Sequence, residues 1–160
     1  MFFHSWEYNP RDPESISSNQ VWIAYEDSRG SLWFGTDNGL NRYEPEFDRF
    51  HSYTHDPDDP TSIPVNAVYG IYEDRKGRYW ISTMGGGLSR FDPETEEFFP
   101  IDESYGLPNN VVYITLEDKN GHLWLSTNWG LSRFDPSAME FINYGIHDGL
   151  QGNEFNGWAW

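Results

Sequence analysis

The sequence predicts an all-β fold, a β-propeller fragment of three complete four-stranded blades with one flanking strand at each end. Three observations predict it. The first is repetition: Glu26-Asp27-Ser28-Arg29-Gly30-Ser31-Leu32-Trp33-Phe34-Gly35-Thr36 returns as Glu73-Asp74-Arg75-Lys76-Gly77-Arg78-Tyr79-Trp80-Ile81-Ser82-Thr83. It returns again as Glu117-Asp118-Lys119-Asn120-Gly121-His122-Leu123-Trp124-Leu125-Ser126-Thr127. A period in the forties built of strand-like pieces marks a propeller blade. The second is composition: 18% of residues are aromatic, and aromatic residues favour half-buried pleated surfaces. The third is punctuation, because turn residues cut each repeat into four short segments and none carries a helical period.

Taken in order, Phe3-His4-Ser5-Trp6 matches Phe50-His51-Ser52-Tyr53. Residues 1–18 are therefore expected to hold the last strand of a preceding blade and its linker. Blade 1 then fills 19–56, blade 2 fills 57–104 and blade 3 fills 105–147. The first strands are predicted at Val21–Glu26, Val68–Glu73 and Val112–Glu117, apolar and β-branched at one end as a strand near the ring axis requires. The second strands are predicted at Leu32–Thr36, Tyr79–Thr83 and Leu123–Thr127. Between them the Asp of Glu-Asp-x-x-Gly caps the turn, and Gly30, Gly77 and Gly121 accept positive φ.

Third strands are expected over 40–43, 88–91 and 131–134. They are reached through Asp37-Asn38-Gly39, Met84-Gly85-Gly86-Gly87 and Asn128-Trp129-Gly130, the first being a strong hairpin signal. Asp92-Pro93 and Asp135-Pro136 close them, since proline cannot donate to a ladder. The fourth strands centre on Phe50, Phe98 and Phe141. Finally, Gly149-Leu150-Gln151-Gly152-Asn153 matches Gly106-Leu107-Pro108-Asn109-Asn110, so 148–160 is expected to open the first strand of a following blade.

A ring closes with about four to eight blades. Three are too few, and two stray strands do not complete another by simple pairing. Open blade edges invite partners. The expectation is self-association, or union with the remainder of a parent propeller.

The chain has 160 residues, 26 acidic against 10 Lys and Arg, for a formal charge of −16. Such a surface repels phosphate backbones and anionic headgroups, which argues against nucleic-acid and direct membrane contact. The absence of cysteine excludes disulfides, thiolate metal sites and cysteine nucleophiles. No apolar run approaches a membrane span of about 20 residues, and Met1-Phe2-Phe3-His4 lacks the blocks of a signal peptide.

Leu32-Trp33-Phe34-Gly35-Thr36-Asp37-Asn38-Gly39-Leu40-Asn41-Arg42-Tyr43 resembles the two-component regulator propeller repeat, and the resemblance recurs three times. It implies the extracytoplasmic sensor of a bacterial hybrid two-component system, periplasmic and anchored through a parent that carries a membrane helix and a histidine kinase. It further implies a non-catalytic segment sensing an oligosaccharide. None of the membrane or kinase regions is in this sequence. Two alternatives stand beside that reading. Streptogramin lyases are propellers with similar repeats, but they require His and Glu near the axis with a divalent ion; His51, His55, His122 and His147 do not occupy equivalent inner-strand positions. A pure protein-interaction scaffold is the other.

Trp33, Trp80 and Trp124 are locked to the repeat and are read as packing between blades. The Glu-Asp pairs recur as turn caps rather than as a catalytic carboxylate pair. Candidate ligand contacts are the residues that break the pattern or face the mouth of the ring. These are Trp129 and Asn128 on one hairpin, Asn38 and Asp37 on another, and Trp22, Tyr69 and Tyr113 at one shared position of the first strand. Alternation alone leaves that position facing either the tunnel or the next blade. Asn19, Asn66, Asn110 and Asn153 precede the first strands and are read as closing loops. No metal site and no cofactor is expected, since no paired zinc spacing, calcium loop or nucleotide fingerprint appears.

Overall fold

The computed structural model describes residues 4–155. Its framework is three antiparallel sheets of four strands each. Blade 1 comprises β1 (Val21–Glu26), β2 (Leu32–Thr36), β3 (Gly39–Glu44) and β4 (Arg49–Tyr53). Blade 2 comprises β5 (Val68–Glu73), β6 (Tyr79–Thr83), β7 (Leu88–Asp92) and β8 (Glu97–Ile101). Blade 3 comprises β9 (Val112–Glu117), β10 (Leu123–Thr127), β11 (Gly130–Asp135) and β12 (Glu140–Tyr144). In every sheet the strands lie in chain order, and β1, β5 and β9 adjoin one another along the inner side.

The core lies between the blades, because each sheet has two faces to cover and only its neighbours to cover them with. One apolar cluster joins Trp33, Leu40 and Tyr53 of blade 1 to Ile71, Tyr79, Phe91 and Phe98 of blade 2. The second joins Trp80, Leu88 and Ile101 of blade 2 to Leu123, Leu125 and Phe134 of blade 3. Trp33 and Trp80 are each 2% exposed. Trp124 has the same place in blade 3 but is only half-buried, stacked on Tyr144 of its own blade. No following blade stands among the described residues to cover it.

The recurring acidic pair does more than cap a turn. Asp27 Oδ1 accepts the N–H groups of Arg29 (2.9 Å) and Ser31 (2.8 Å). Its Oδ2 accepts the Trp33 indole N–H and the Tyr79 hydroxyl of the next blade, both at 2.8 Å. Asp74 and Asp118 take the Trp80 and Trp124 indoles in the same way, at 2.9 and 3.1 Å. The glutamate clamps the seam from the other side: Glu73 accepts from the Ser28 N–H and hydroxyl (both 2.7 Å), and Glu117 from the Arg75 N–H and Nε (both 3.0 Å).

The linkers close as expected. Asn19, Asn66, Asn110 and Asn153 each accept, through Oδ1, a backbone N–H seven or eleven residues upstream, at 2.6–2.9 Å. The expected C-terminal flanking strand falls largely on residues 156–160, outside the described residues, whereas the N-terminal one, read over residues 3–6, falls mostly within them. Residues 4–8 and 154–155 form no strand; the other strands of such blades, which would supply the ladder, are not in this sequence. Trp6 is nonetheless docked like an outer-strand residue of a preceding blade. Its ring lies 5.0 Å from Tyr43 and 5.9 Å from Phe50, and its indole donates to Asp48 at 2.9 Å. Tyr53 treats blade 2 alike, 5.0 Å from Phe91 and 6.0 Å from Phe98, donating to Glu96 at 2.9 Å.

One buried polar atom is orphaned among the described residues, the Ser89 hydroxyl. The equivalent Asn41 accepts from the Ser17 N–H (2.9 Å) and the Ser52 hydroxyl (2.7 Å), and Ser132 bonds Asn143 at 2.7 Å. Blade 2 has Pro100 opposite Ser89 and Pro64 at the place of Ser17, and neither offers a donor. A buried group without a partner costs about 1–3 kcal/mol. Ser89→Ala is therefore expected to raise stability by about 1 kcal/mol, read as a higher urea midpoint at unchanged slope.

Candidate functional site

At the end of the ring where β1, β5 and β9 begin, all three strands break register at the same place. Val21 pairs Thr36 and Ile23 pairs Gly35, leaving Trp22 as the extra residue. Tyr69 is extra between Val68 and Gly70, and Tyr113 between Val112 and Ile114. A bulge of this kind re-aims one side chain out of the pleat. The three aromatics form a ladder along the inner strands, with ring centroids 5.1 Å apart for Trp22–Tyr69 and 5.6 Å for Tyr69–Tyr113. Trp22 is 46% exposed and both tyrosines are half-buried.

Two rungs are paired with the first residue of their own blade's strand two–three hairpin. The Tyr113 hydroxyl donates to Asn128 Oδ1 at 2.7 Å, and the Tyr69 hydroxyl to the Met84 sulfur at 3.8 Å. Asp37 is the equivalent residue of blade 1, one past Thr36, with its N–H bonded to the Gln20 carbonyl at 3.3 Å. Burial first, and then the neighbouring Tyr113, hold the Tyr69 hydroxyl above the ordinary phenol range. Tyr69 is thus an un-ionised donor throughout the neutral range.

The remaining candidates divide. Asn38 is spent on the scaffold: its Nδ2 donates to the Ser17 carbonyl (3.1 Å) and its Oδ1 accepts from Asn66 (3.2 Å). Trp129 stands at the hairpin tip, 63% exposed, with its N–H held by Thr127 Oγ1 at 3.0 Å. Its ring pairs with no other aromatic ring among the described residues. Met84 was not legible as a site residue. The signal that could have found it is its equivalence to Asp37 and Asn128, one residue past the last threonine of strand two.

Gly30, Gly77 and Gly121 all have φ between 74° and 88°, the left-handed region their turns demand. No histidine lies on β1, β5 or β9, and no cluster of three or more metal-ligating residues exists among the described residues. No helix there is long and apolar enough to cross a membrane.

The model of the two component regulator propeller family matches residues 15–38, 62–85 and 106–129. Each match runs from the end of a linker through strands one and two to the hairpin, and so contains the bulged aromatic. Three stretches of the chain are thus similar to the two component regulator propeller repeat. Its repeats superpose on the extracellular domain of a hybrid two component system of B. thetaiotaomicron, BT4673, with TM-score 0.79 and 26% identity, over 92% of this chain and 21% of that one. A second such domain of the same organism, BT3049, matches with TM-score 0.80 and 24% identity over 92% and 20%. The chain therefore spans about a fifth of the length of these relatives. A virginiamycin B lyase of Staphylococcus aureus shares the fold, with TM-score 0.65 and 22% identity over 86% of this chain and 46% of the lyase. No curated protein matches the chain.

Proposed function

We propose that the chain is a non-catalytic, ligand-binding segment of the extracytoplasmic sensor propeller of a membrane-anchored hybrid two component system, and that its ligand is an oligosaccharide. The observation that carries this is the ladder of Trp22, Tyr69 and Tyr113, one at each bulge near the start of the three inner strands. Sugar rings have apolar faces that stack on exposed aromatics and hydroxyls that need fixed polar partners. Asn128 and the Tyr69 hydroxyl are such partners. Trp129 extends the same side of the ring at its hairpin tip. Likeness to the two component regulator propeller repeat and to extracellular domains of hybrid two component systems supports the signalling role, which this segment would serve by presenting the bound state to the rest of its parent.

The test is calorimetric titration with a panel of neutral oligosaccharides. Tyr69→Ala is expected to weaken binding at least about tenfold, as removal of a central anchor does, with the melting temperature little changed because the ring is half-exposed. Trp129→Ala is expected to have a smaller effect. Binding that ignores Tyr69 would leave the scaffold reading instead, and metal-dependent turnover of any panel member would favour the lyase reading.

A further inference from the structure

The ladder is chemically unequal at its two ends, and the inequality specifies the ligand further; this rests on the oligosaccharide reading above. At the Tyr113 end the hairpin supplies the Asn128 amide, already engaged by the tyrosine at 2.7 Å. In the middle it supplies the Met84 thioether. At the Trp22 end it supplies the Asp37 carboxylate, exposed and without a hydrogen-bond or ion-pair partner for its oxygens among the described residues. The rung of the same blade, Trp22, is the most exposed at 46%, and it stands to Asp37 in the repeat as Tyr69 does to Met84 and Tyr113 to Asn128.

Charge is distributed to match. Five of the ten Lys and Arg residues, Arg29, Arg75, Lys76, Arg78 and Lys119, lie in the turns between strands one and two, at the opposite end of the ring. The hairpins and linkers on the ladder's side hold one, Arg11, against Asp12, Glu14, Asp56, Asp58 and Asp59. An indole face attracts a cation through its quadrupole, and a nearby unpaired carboxylate adds to that attraction.

We infer that the Trp22–Asp37 end is an ammonium subsite, so that the oligosaccharide it selects carries a free amine, as a hexosamine does, at the residue stacked there. Tyr69 and Tyr113 then hold the neighbouring sugars by stacking, and Asn128 takes a hydroxyl.

The test compares a glucosamine tetramer with the N-acetylglucosamine tetramer by calorimetry on the intact chain. The two differ in the charged amine against its neutral, bulkier amide. The amine form is expected to bind about tenfold tighter, the size of a cation–π contact with a screened charge pair, and the gap is expected to narrow with added salt. Asp37→Asn, which installs the residue that blade 3 carries at this place, is expected to bring the two ligands to similar affinity without loss of fold. Equal affinities in the unaltered protein, or a gap that survives Asp37→Asn, would overturn the ammonium subsite. If both tetramers then bind with dependence on Tyr69, the oligosaccharide reading stands alone. If neither tetramer binds, the subsite falls, and the neutral panel decides the wider reading.

Discussion

Trp33→Ala is expected to lower the unfolding free energy by about 3–5 kcal/mol, while Trp124→Ala lowers it by no more than about half as much. The chemistry removed is the same, and so is the place in the repeat. What differs is the neighbour. Trp33 is enclosed by Tyr53 at 6.3 Å, Tyr79 at 5.6 Å and Phe91 at 5.7 Å, the last two from blade 2. Its loss leaves a cavity on both sides of a seam and an Asp27 oxygen short of a donor. Trp124 rests on Tyr144 alone among these contacts and faces outward. Truncating it forfeits area that is already partly wet. Urea unfolding of the two variants, followed by circular dichroism, measures the difference directly. Comparable losses at the two positions would mean that the seams do not carry the core, and the ledger of stability would have to move into the individual sheets.

The contrast bears on the repeat as a unit. A blade has no interior of its own, so the energy of each tryptophan is a property of two blades. It follows that blade 1 and blade 3 are unequal at their open sides. Blade 1 is partly covered by Trp6, whereas Leu116, at 60% exposure, and Ile142, at 46%, stand uncovered on blade 3. A partner, whether a further blade of a longer chain or another copy, gains most by covering the blade 3 side. Self-association of the chain is thus expected to depend on Leu116. Leu116→Asp should abolish any concentration-dependent rise in scattering mass, and persistence of that rise would place the contact elsewhere.

Much of this was readable before any coordinates. The first and second strands begin and end where their apolar and β-branched residues do, at Val21–Glu26 and Leu32–Thr36 and at the equivalent positions of the other blades. Third strands run slightly longer than their apolar pattern, to Gly39–Glu44 in blade 1. There Thr36 pairs directly with Gly39, and the residue before Pro45 is biased to extended backbone. The site was half legible. Repetition singled out Trp22, Tyr69 and Tyr113 as equivalent. Their direction depended on register with strand two, and an extra residue in a ladder leaves no mark in an alternation pattern. The double duty of Asp27 was hidden for a similar reason: its turn is local, but the Trp33 indole and Tyr79 hydroxyl reach it through tertiary packing. Ser89 looked like any strand serine until the prolines at its partners' places could be seen together.

Asp27→Asn is expected to cost about 2–4 kcal/mol near neutral pH and to flatten the acid limb of the stability curve. Burial pushes the Asp27 carboxyl up, but the indole of Trp33, the hydroxyl of Tyr79 and the N–H groups of Ser31 and Arg29 together outweigh it and hold the group below the ordinary carboxylate range. Asp74 and Asp118 are held low by the same balance, burial opposed by the Trp80 and Trp124 indoles and by turn N–H groups. A carboxyl whose folded pKa lies below its unfolded value, about 3.9, binds protons more readily when unfolded. Its contribution is complete above that value and is lost as pH falls through the folded pKa. Asparagine keeps one acceptor for the turn but turns an amide donor toward two other donors, the Trp33 N–H and the Tyr79 O–H, so the penalty is present at every pH. Between about pH 5 and pH 2, the unaltered protein should therefore lose stability more steeply than the variant, because one of three titrating hubs is gone. Parallel acid limbs in tryptophan-fluorescence titrations would show that Asp27 does not titrate with unfolding, and that the seam is held by packing with no contribution from the charge at its turn.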